Sequence, residues 1–217
     1  MTKSATRRGR GRPRGDERVS GSSRGELIDA AASVFAERGY DGTTVEEVIR
    51  RAGLSKGTFY FNFADKEHLF LAVIQDRIDD PVRGLIAITA TADGQVPTAG
   101  TVSAGLSDLL RNERTALLLL QEYWSRAARD EALGARYRER QLSLRDAMAE
   151  ALRARHEHTG VPLTLDASRL AQAFIALGQG LALESILDPD GVDTALFGEI
   201  LSLVYDGLVK RAEPVTP

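Results

Sequence analysis

Apolar residues recur at spacings of three and four between residues 43 and 63, and this pattern predicts a short helix. Val45 and Val48 lie on one face of it. Thr44 and Glu47 have the S/T-x-x-E spacing of a capping box, which satisfies free backbone donors at a helix start. The pattern therefore predicts a helix that begins just after Thr44 and buries one side.

A glycine turn separates this helix from a second one. Gly53 can adopt the positive φ that ends a helix, and Ser55 can cap the helix that follows. Phe59 can point back to the core, four residues after the cap. The remaining side chains are small, basic or hydrogen-bonding, and none is acidic: Lys56, Gly57, Thr58, Tyr60 and Asn62. Such a face fits a DNA major groove and its flanking phosphates.

Helical patterns also cover the rest of the chain, so we expect an all-α fold. A first helix is expected over residues 25–38, and Asp65 can cap a fourth helix. The sequence Asp79-Asp80-Pro81 should end that helix or kink it. Further helices are expected over residues 98–112, 113–156 with a break near Asp130 or Gly134, 166–187 and 193–210.

The composition is that of a globular protein without covalent cross-links. The 217 residues are 43% hydrophobic and 27% charged, and no cysteine is present. No apolar run approaches the roughly 18 residues that span a bilayer, and no apolar segment follows the charged N-terminus. We therefore expect a cytoplasmic protein without disulfides or thiolate zinc sites, and we expect no cofactor.

Charge is distributed unevenly along the chain. Residues 1–24 contain eight basic and two acidic residues, a balance of +6, so the remainder carries −9 of the net −3. We expect residues 1–23 to form a disordered basic arm. Its Arg10-Gly11-Arg12-Pro13 resembles an AT-hook, which places arginine in a narrow A·T minor groove. A solvated basic tail with only non-specific phosphate attraction is the alternative.

Residues 24–75 resemble the DNA-binding domain of the tetracycline-repressor (TetR) family. Residues 30–44 resemble its first helix and the following loop, residues 45–63 its helix-turn-helix, and residues 64–70 the start of its fourth helix. One departure lies at Phe61 and Asn62, where relatives more often carry His or a second Tyr. The resemblance implies an N-terminal three-helix domain over residues 24–75. It also implies a larger helical ligand-binding and dimerisation domain over residues 76–217.

The resemblance also assigns expected DNA contacts. Tyr60 would place its hydroxyl on a phosphate, and Thr44 and Lys66 would make further backbone contacts. Together with the positional argument, the expected set is Arg10, Arg12, Arg24, Thr43, Thr44, Ser55, Lys56, Gly57, Thr58, Tyr60, Asn62 and Lys66.

The last two helices contain a candidate dimer interface. Steps of four and three residues place one set on a single face of the first of them, and small residues there allow close helix approach. This stripe is either internal core or a homodimer seam made of two helices from each subunit, and the resemblance favours the seam. The expected seam residues are Phe174, Gly178, Leu181, Ser185, Leu196, Ile200, Leu203 and Val204.

A polar group among apolar and aromatic neighbours marks a candidate ligand pocket in residues 117–127. An ordinary core with an exposed edge has the same pattern. The expected pocket residues are Leu117, Leu120, Gln121, Tyr123 and Trp124. His156 and His158 do not share a helix face, so we expect no metal site.

These features predict a ligand-responsive DNA-binding transcriptional regulator and not an enzyme. It would be a repressor that binds a palindromic operator as a homodimer and is released by a small apolar molecule. A ligand-independent regulator or an activator is the near alternative. An all-helical enzyme would need a nucleophile, a metal cluster or a phosphate loop, for which no pattern is present in the C-terminal half. A chromosome-compacting DNA-binding protein is a third alternative.

Overall fold

The computed structural model describes residues 19–90, 99–159, 165–193, 195–200 and 203, and within these ranges the secondary structure is helical, without strands. The all-α prediction is thereby confirmed for the described part of the chain. The helices are α1 (Val19–Arg38), α2 (Val45–Ala52), α3 (Lys56–Asn62), α4 (Lys66–Ile74), α5 (Asp80–Ala90), α6 (Ala99–Asn112), α7 (Arg114–Ala127), α8 (Glu131–Thr159) and α9 (Ala167–Leu187). A π-helical turn, Gln75–Asp79, joins α4 to α5.

The predicted caps define α2 and α3. The Thr44 side chain accepts the Glu47 N–H at 3.3 Å, and α2 ends at Gly53 with φ of 67°. The Ser55 hydroxyl accepts the Thr58 N–H at 3.0 Å and starts α3. Because both helix starts and the intervening turn are fixed locally, α2 and α3 form the predicted helix-turn-helix.

One hydrophobic core runs from the N-terminal helices into the rest of the molecule. Tyr40 packs against Phe35 and Phe70, with ring centroids 5.9 and 4.9 Å apart. Phe70 in turn lies 5.8 Å from Tyr123 of α7. Since burying such aromatic rings contributes strongly to stability, this contact fixes the N-terminal helices against α7.

The kink predicted at Asp79-Asp80-Pro81 takes the form of the π-helical turn. Pro81 has no N–H, and its ring would clash with a carbonyl four residues earlier in a regular helix. A wider turn just before α5 accommodates the ring. Asp79, the last residue of this turn, is buried with 4% of its surface exposed.

The long helical segment predicted over residues 113–156 is divided into two helices. The break expected near Asp130 is confirmed, because α7 ends at Ala127 and α8 begins at Glu131. Helix α8 packs against α5, α7 and α9. Helix α9 is long and apolar enough to cross a membrane by length and composition, a property shared by core helices of soluble proteins.

The N-terminal boundary differs from the expectation. Helix α1 begins at Val19, inside the segment expected to be a disordered arm, and Ser23 is buried. The helix therefore starts before its regular apolar spacing, which begins near Leu27. Arg10, Arg12, Val204 and most of the predicted final helix lie outside the described residues, although residues 195–200 are helical as predicted.

Candidate DNA-binding surface and ligand cavity

The outward face of α3 presents three side chains to solvent. The Tyr60 side chain is 52% exposed and that of Phe61 78% exposed, and Lys56 lies one turn earlier on the same helix. The sequence argument did not assign Phe61 to the site. Because Phe59 and Phe63 both point into the core, a residue midway between them must face outward, and this spacing could have identified it.

The other predicted residues of α3 are close to its surface but partly engaged. Gly57 has open space around its α-carbon, with only the Ser55 hydroxyl within 4 Å of an added side-chain carbon. The Thr58 hydroxyl lies 2.8 Å from that of Ser55, and Asn62 donates its amide to the Thr58 carbonyl at 2.8 Å. These bonds orient the side chains along the exposed face of the helix.

Lys56 is paired with a carboxylate of the preceding helix. Its ammonium lies 3.2 Å from the Glu46 carboxylate, and both side chains are exposed. The pKa of Glu46 is lowered by its own backbone N–H and then by Lys56. Since exposed ion pairs contribute little to stability, separating Lys56 from Glu46 would cost little free energy.

Two residues expected to contact DNA instead make hydrogen bonds within the protein. Thr43 is 1% exposed, and its hydroxyl donates to the Gly39 carbonyl at 2.8 Å. The Lys66 ammonium donates to the carbonyls of Tyr40 and Thr43 at 2.8 and 2.9 Å, and burial lowers its pKa. Both side chains hold the loop between α1 and α2, because their polar atoms are already used there.

Three further residues predicted to contact DNA are exposed: Arg24, Thr44 and Ser55. Thr44 and Ser55 are the helix caps described above, so their oxygens accept backbone N–H groups. The Arg24 guanidinium lies 5.2 Å from the centroid of the Phe63 ring, which positions the cation beside the end of α3.

Polar contacts join the loop after α1 to α7, and α4 to α8. The Tyr40 N–H donates to both carboxylate oxygens of Glu122 at 3.1 Å, and the Arg126 guanidinium lies 3.9 Å from the Tyr40 ring centroid. Burial raises the pKa of the Tyr40 phenol. Arg136 of α8 pairs with Glu67 of α4 at 2.6 Å. These partners are far apart in sequence, so periodicity within one helix could not reveal them.

A largely apolar cavity lies among α5, α6, α7, α8 and α9. Its empty space, including the part that opens to solvent, is about 970 Å³. The polar lining side chains are Arg140 and Gln179, and the apolar lining includes Ile78, Val82, Leu85, Ile86, Val102, Leu106, Leu109, Leu110, Leu144, Met148, Leu152, Phe174, Ile175, Ala182 and Phe197. Such a site suits a small molecule with a large apolar part.

The expected pocket residues divide between two environments. Leu117 and Leu120 line the cavity. Tyr123 is buried but packs between Phe70 and Tyr137, with ring centroids 5.8 Å from each. Gln121 and Trp124 do not line the cavity, and Trp124 is 54% exposed. The physical reason is that only one face of α7 borders the cavity, whereas the predicted set spans two faces.

The predicted seam stripe of α9 also faces inward. Phe174, Leu181 and Ser185 are buried within the subunit, and a side-chain carbon on Gly178 would lie 3.6 Å from the Phe197 ring. The exposed apolar and small residues of α9 lie on another face: Ala173, Ala176, Gly180, Leu183 and Leu187. The stripe assigned from spacing is therefore core and cavity wall.

The expected seam residues of the final helix are less buried. Leu196 is 42% exposed and Leu203 is 68% exposed, whereas Ile200 is half-buried. The exposed face of α9 and these two leucines are apolar surface without a partner in the described part of the subunit.

A capped helix pair with a glycine turn and a carboxylate-free α3 defines a helix-turn-helix protein of the DNA-binding class. A model of bacterial regulatory proteins of the tetR family matches residues 27–73, and one of the C-terminal domain of BetI-type transcriptional repressors matches residues 101–208. The chain belongs to the TetR family, whose members are transcriptional regulators and not enzymes.

Curated relatives match over part of their length. The transcriptional activator FasR of Mycolicibacterium smegmatis is 36% identical over 110 residues, which cover 48% of this chain and 50% of FasR. The transcriptional repressor DhaR of a Mycobacterium species is 35% identical over 120 residues, which cover 46% of this chain and 61% of DhaR. The chain thus spans about half the length of FasR and under two thirds of DhaR.

Solved structures match over most of the chain. A transcriptional regulator from Pseudomonas aeruginosa PAO1 aligns with a TM-score of 0.65 and 25% identity over 87% of this chain and 91% of that one. The fatty acid degradation regulator FadR from Bacillus halodurans aligns with a TM-score of 0.63 and 18% identity over 86% of this chain and 94% of that one. The second likeness concerns the fold alone.

Proposed function

We propose that this protein is a homodimeric repressor that binds a palindromic operator and leaves it when a small apolar molecule fills the cavity. The main support for this proposal is the set of packing contacts that connects the cavity to the DNA-binding helices. Helix α5 supplies part of the cavity wall, and α4 packs against α1 of the DNA-binding domain. The π-helical turn joins α4 to α5, and α1 packs against α3, so a displacement at the cavity would be transmitted to α3.

The DNA contacts proposed for each subunit come from α3 and its surroundings. Lys56, Thr58 and Tyr60 would contact base edges and phosphates, supported by the caps Thr44 and Ser55 and by Arg24. Gly57 permits close approach, and Asn62 lies at the end of the same face. Because α3 has only seven residues, one subunit contacts too few bases to be selective, and a two-fold pair is required.

For the dimer seam we propose the exposed face of α9 together with Leu196 and Leu203. This surface is apolar and contains small residues, which allows helices of two subunits to approach closely. It replaces the inward stripe of Phe174, Gly178, Leu181 and Ser185. An exposed apolar surface of this kind is typical of a protein–protein interface.

Names of relatives favour repression over activation. DhaR, AcnR and KstR2 are repressors, and the C-terminal family model describes repressors, whereas FasR is an activator. A regulator that acts on bacterial DNA works in the cytoplasm, which is the localisation we propose.

The test fills the cavity without changing the DNA surface. Ala182→Phe adds a ring at the cavity wall, and Ala132→Phe adds the same ring at an exposed position of α8. A panel of apolar compounds is screened for release of operator DNA in a gel-shift assay. We expect compounds that release the wild type and Ala132→Phe but not Ala182→Phe. Equal release of all three proteins would contradict a role for this cavity.

A further inference from the structure

Among the described residues, Arg140 is the one charged side chain that lines the largely apolar cavity, and its charge is already neutralised by an acidic partner. Nε of Arg140 donates to both carboxylate oxygens of Asp79 at 2.9 Å, and its Nη2 also donates to that carboxylate. The side chains are 12% and 6% exposed. The site therefore contains a buried, bidentate ion pair at the edge of an apolar cavity.

The guanidinium nevertheless has unused donors. Nη1 of Arg140 is buried and has no hydrogen-bond partner among the described residues. A buried donor without an acceptor is costly, so native structures usually provide one from protein, water or ligand. Arg140 is among the residues that line the cavity, so a ligand that draws the guanidinium slightly towards the open space would supply this acceptor.

The charge balance selects the kind of acceptor. The positive charge of Arg140 is already compensated by Asp79, and the other side chains that line the cavity are uncharged in the part of the chain that the structure describes. A ligand carboxylate would add an uncompensated negative charge close to Asp79 in an apolar environment, which is unfavourable. An uncharged carbonyl oxygen accepts a hydrogen bond from Nη1 without changing the net charge.

We propose that the effector is an apolar molecule with an uncharged carbonyl, such as an ester, thioester or ketone, bound through Arg140. This inference rests on the proposed ligand role of the cavity and specifies the chemistry of the ligand head group. Asp79 is a positioning residue, since it holds the guanidinium and sets the charge that the site accepts. It also belongs to the π-helical turn, so the head group binds beside the junction between α4 and α5.

The first test removes the ion pair as a unit. Arg140→Met with Asp79→Leu replaces it by apolar side chains, a change that usually preserves folding because neither partner is left unpaired. Dissociation constants of methyl decanoate and decane are measured by equilibrium dialysis with the full-length protein. We expect roughly tenfold weaker ester binding and unchanged decane binding. Arg153→Met, at an exposed position of the same helix, is the control and should change neither.

The second test changes the charge preference. Asp79→Asn leaves the charge of Arg140 uncompensated while preserving the shape of its partner. We expect the affinity for decanoate relative to methyl decanoate to rise by about tenfold or more over its wild-type value. A wild-type protein that prefers decanoate to the ester would overturn the proposal, as would an unchanged ratio in Asp79→Asn.

The carbonyl contact and the ligand role of the cavity predict different experimental results. If ester and decane both bind the wild type but respond equally to loss of the ion pair, the carbonyl contact is wrong and the cavity still binds ligand. If neither compound binds a wild-type protein that binds its operator, the proposed ligand role of the cavity fails as well.

Discussion

Lys66 shows how a surface cation can belong to the fold rather than to a ligand site. Its ammonium donates to the carbonyls of Tyr40 and Thr43, at the loop that leads into the helix-turn-helix. Burial of a cation is tolerated when its donors are satisfied in this way. A sequence argument could place Lys66 near the DNA but could not show that its donors are already engaged.

Replacing Lys66 by methionine should therefore destabilise the protein. Loss of hydrogen bonds from a charged donor should lower the free energy of unfolding by about 2 kcal/mol. Urea denaturation followed by circular dichroism measures this value. A salt dependence of DNA affinity that changes while stability stays the same would instead assign Lys66 to a phosphate.

Tyr60 is the opposite case, with a half-exposed ring whose hydroxyl makes no hydrogen bond in the described part of the chain. Tyr60→Phe should leave the unfolding transition unchanged. If the hydroxyl donates to a phosphate, operator affinity should fall about fivefold, which corresponds to one ordinary hydrogen bond. A gel-shift titration at fixed salt measures the effect, and equal affinities would exclude this contact.

At the scale of elements, the predictable helices are those whose ends are encoded locally. Thr44, Ser55 and Asp65 each cap a helix through a side-chain oxygen, and Gly53 ends α2 with positive φ. These signals lie within a few residues of one another, so the sequence alone places the helix-turn-helix. The π-helical turn before Pro81 was predictable only as a kink, because its geometry depends on packing around Asp79.

Helix α9 marks the limit of such reasoning. Apolar or small residues occur on most of its sides, so spacing alone cannot distinguish the face that meets the cavity from the face that meets solvent. The burial of Phe174 and the exposure of Leu183 decide between them. The cavity likewise depends on five helices, and the pairing of Arg140 with Asp79 joins positions far apart in sequence.

The exposed face of α9 leads to a prediction about assembly. Leu183→Arg should convert the dimer to a monomer, because it places a charge in the proposed apolar seam. Leu118→Arg is the matched control, since Leu118 is similarly exposed, at 43% against 47%, but lies on α7. Sedimentation velocity measures the change. A dimeric Leu183→Arg variant would place the interface elsewhere.

Across the whole molecule, charge and packing contribute to DNA binding in different ways. The basic segment, residues 1–18, precedes α1, and the remainder of the chain is acidic. Non-specific attraction to DNA phosphates is therefore concentrated at the N-terminal end of the sequence. Contacts from Glu122 to the loop after α1 and from Arg136 to α4 hold the N-terminal helices on the larger domain. In the proposed mechanism, these contacts transmit a change around the cavity to α3.

Deletion of residues 1–18 tests the contribution of the basic segment without shortening α1. It removes seven basic and two acidic residues. If the segment lies on DNA, each lost phosphate contact should reduce the slope of log K against log salt by about 0.9. Operators with A·T flanks should lose more affinity if Arg10 and Arg12 enter the minor groove. Equal slopes of log K against log salt for the full-length and truncated proteins would show that the segment does not contact DNA.

The proposed function requires two copies of α3 to bind one palindromic site. Selection of bound sequences from a pool of randomised double-stranded DNA, with the purified full-length protein, tests it most directly. We expect an enriched inverted repeat whose half-sites are centred about one helical turn, roughly 34 Å, apart. Leu183→Arg should fail to enrich that repeat, whereas Leu118→Arg should recover it. Enrichment of a single unrepeated motif by the wild type, or of no sequence at all, would rule out recognition of a palindrome by paired α3 helices.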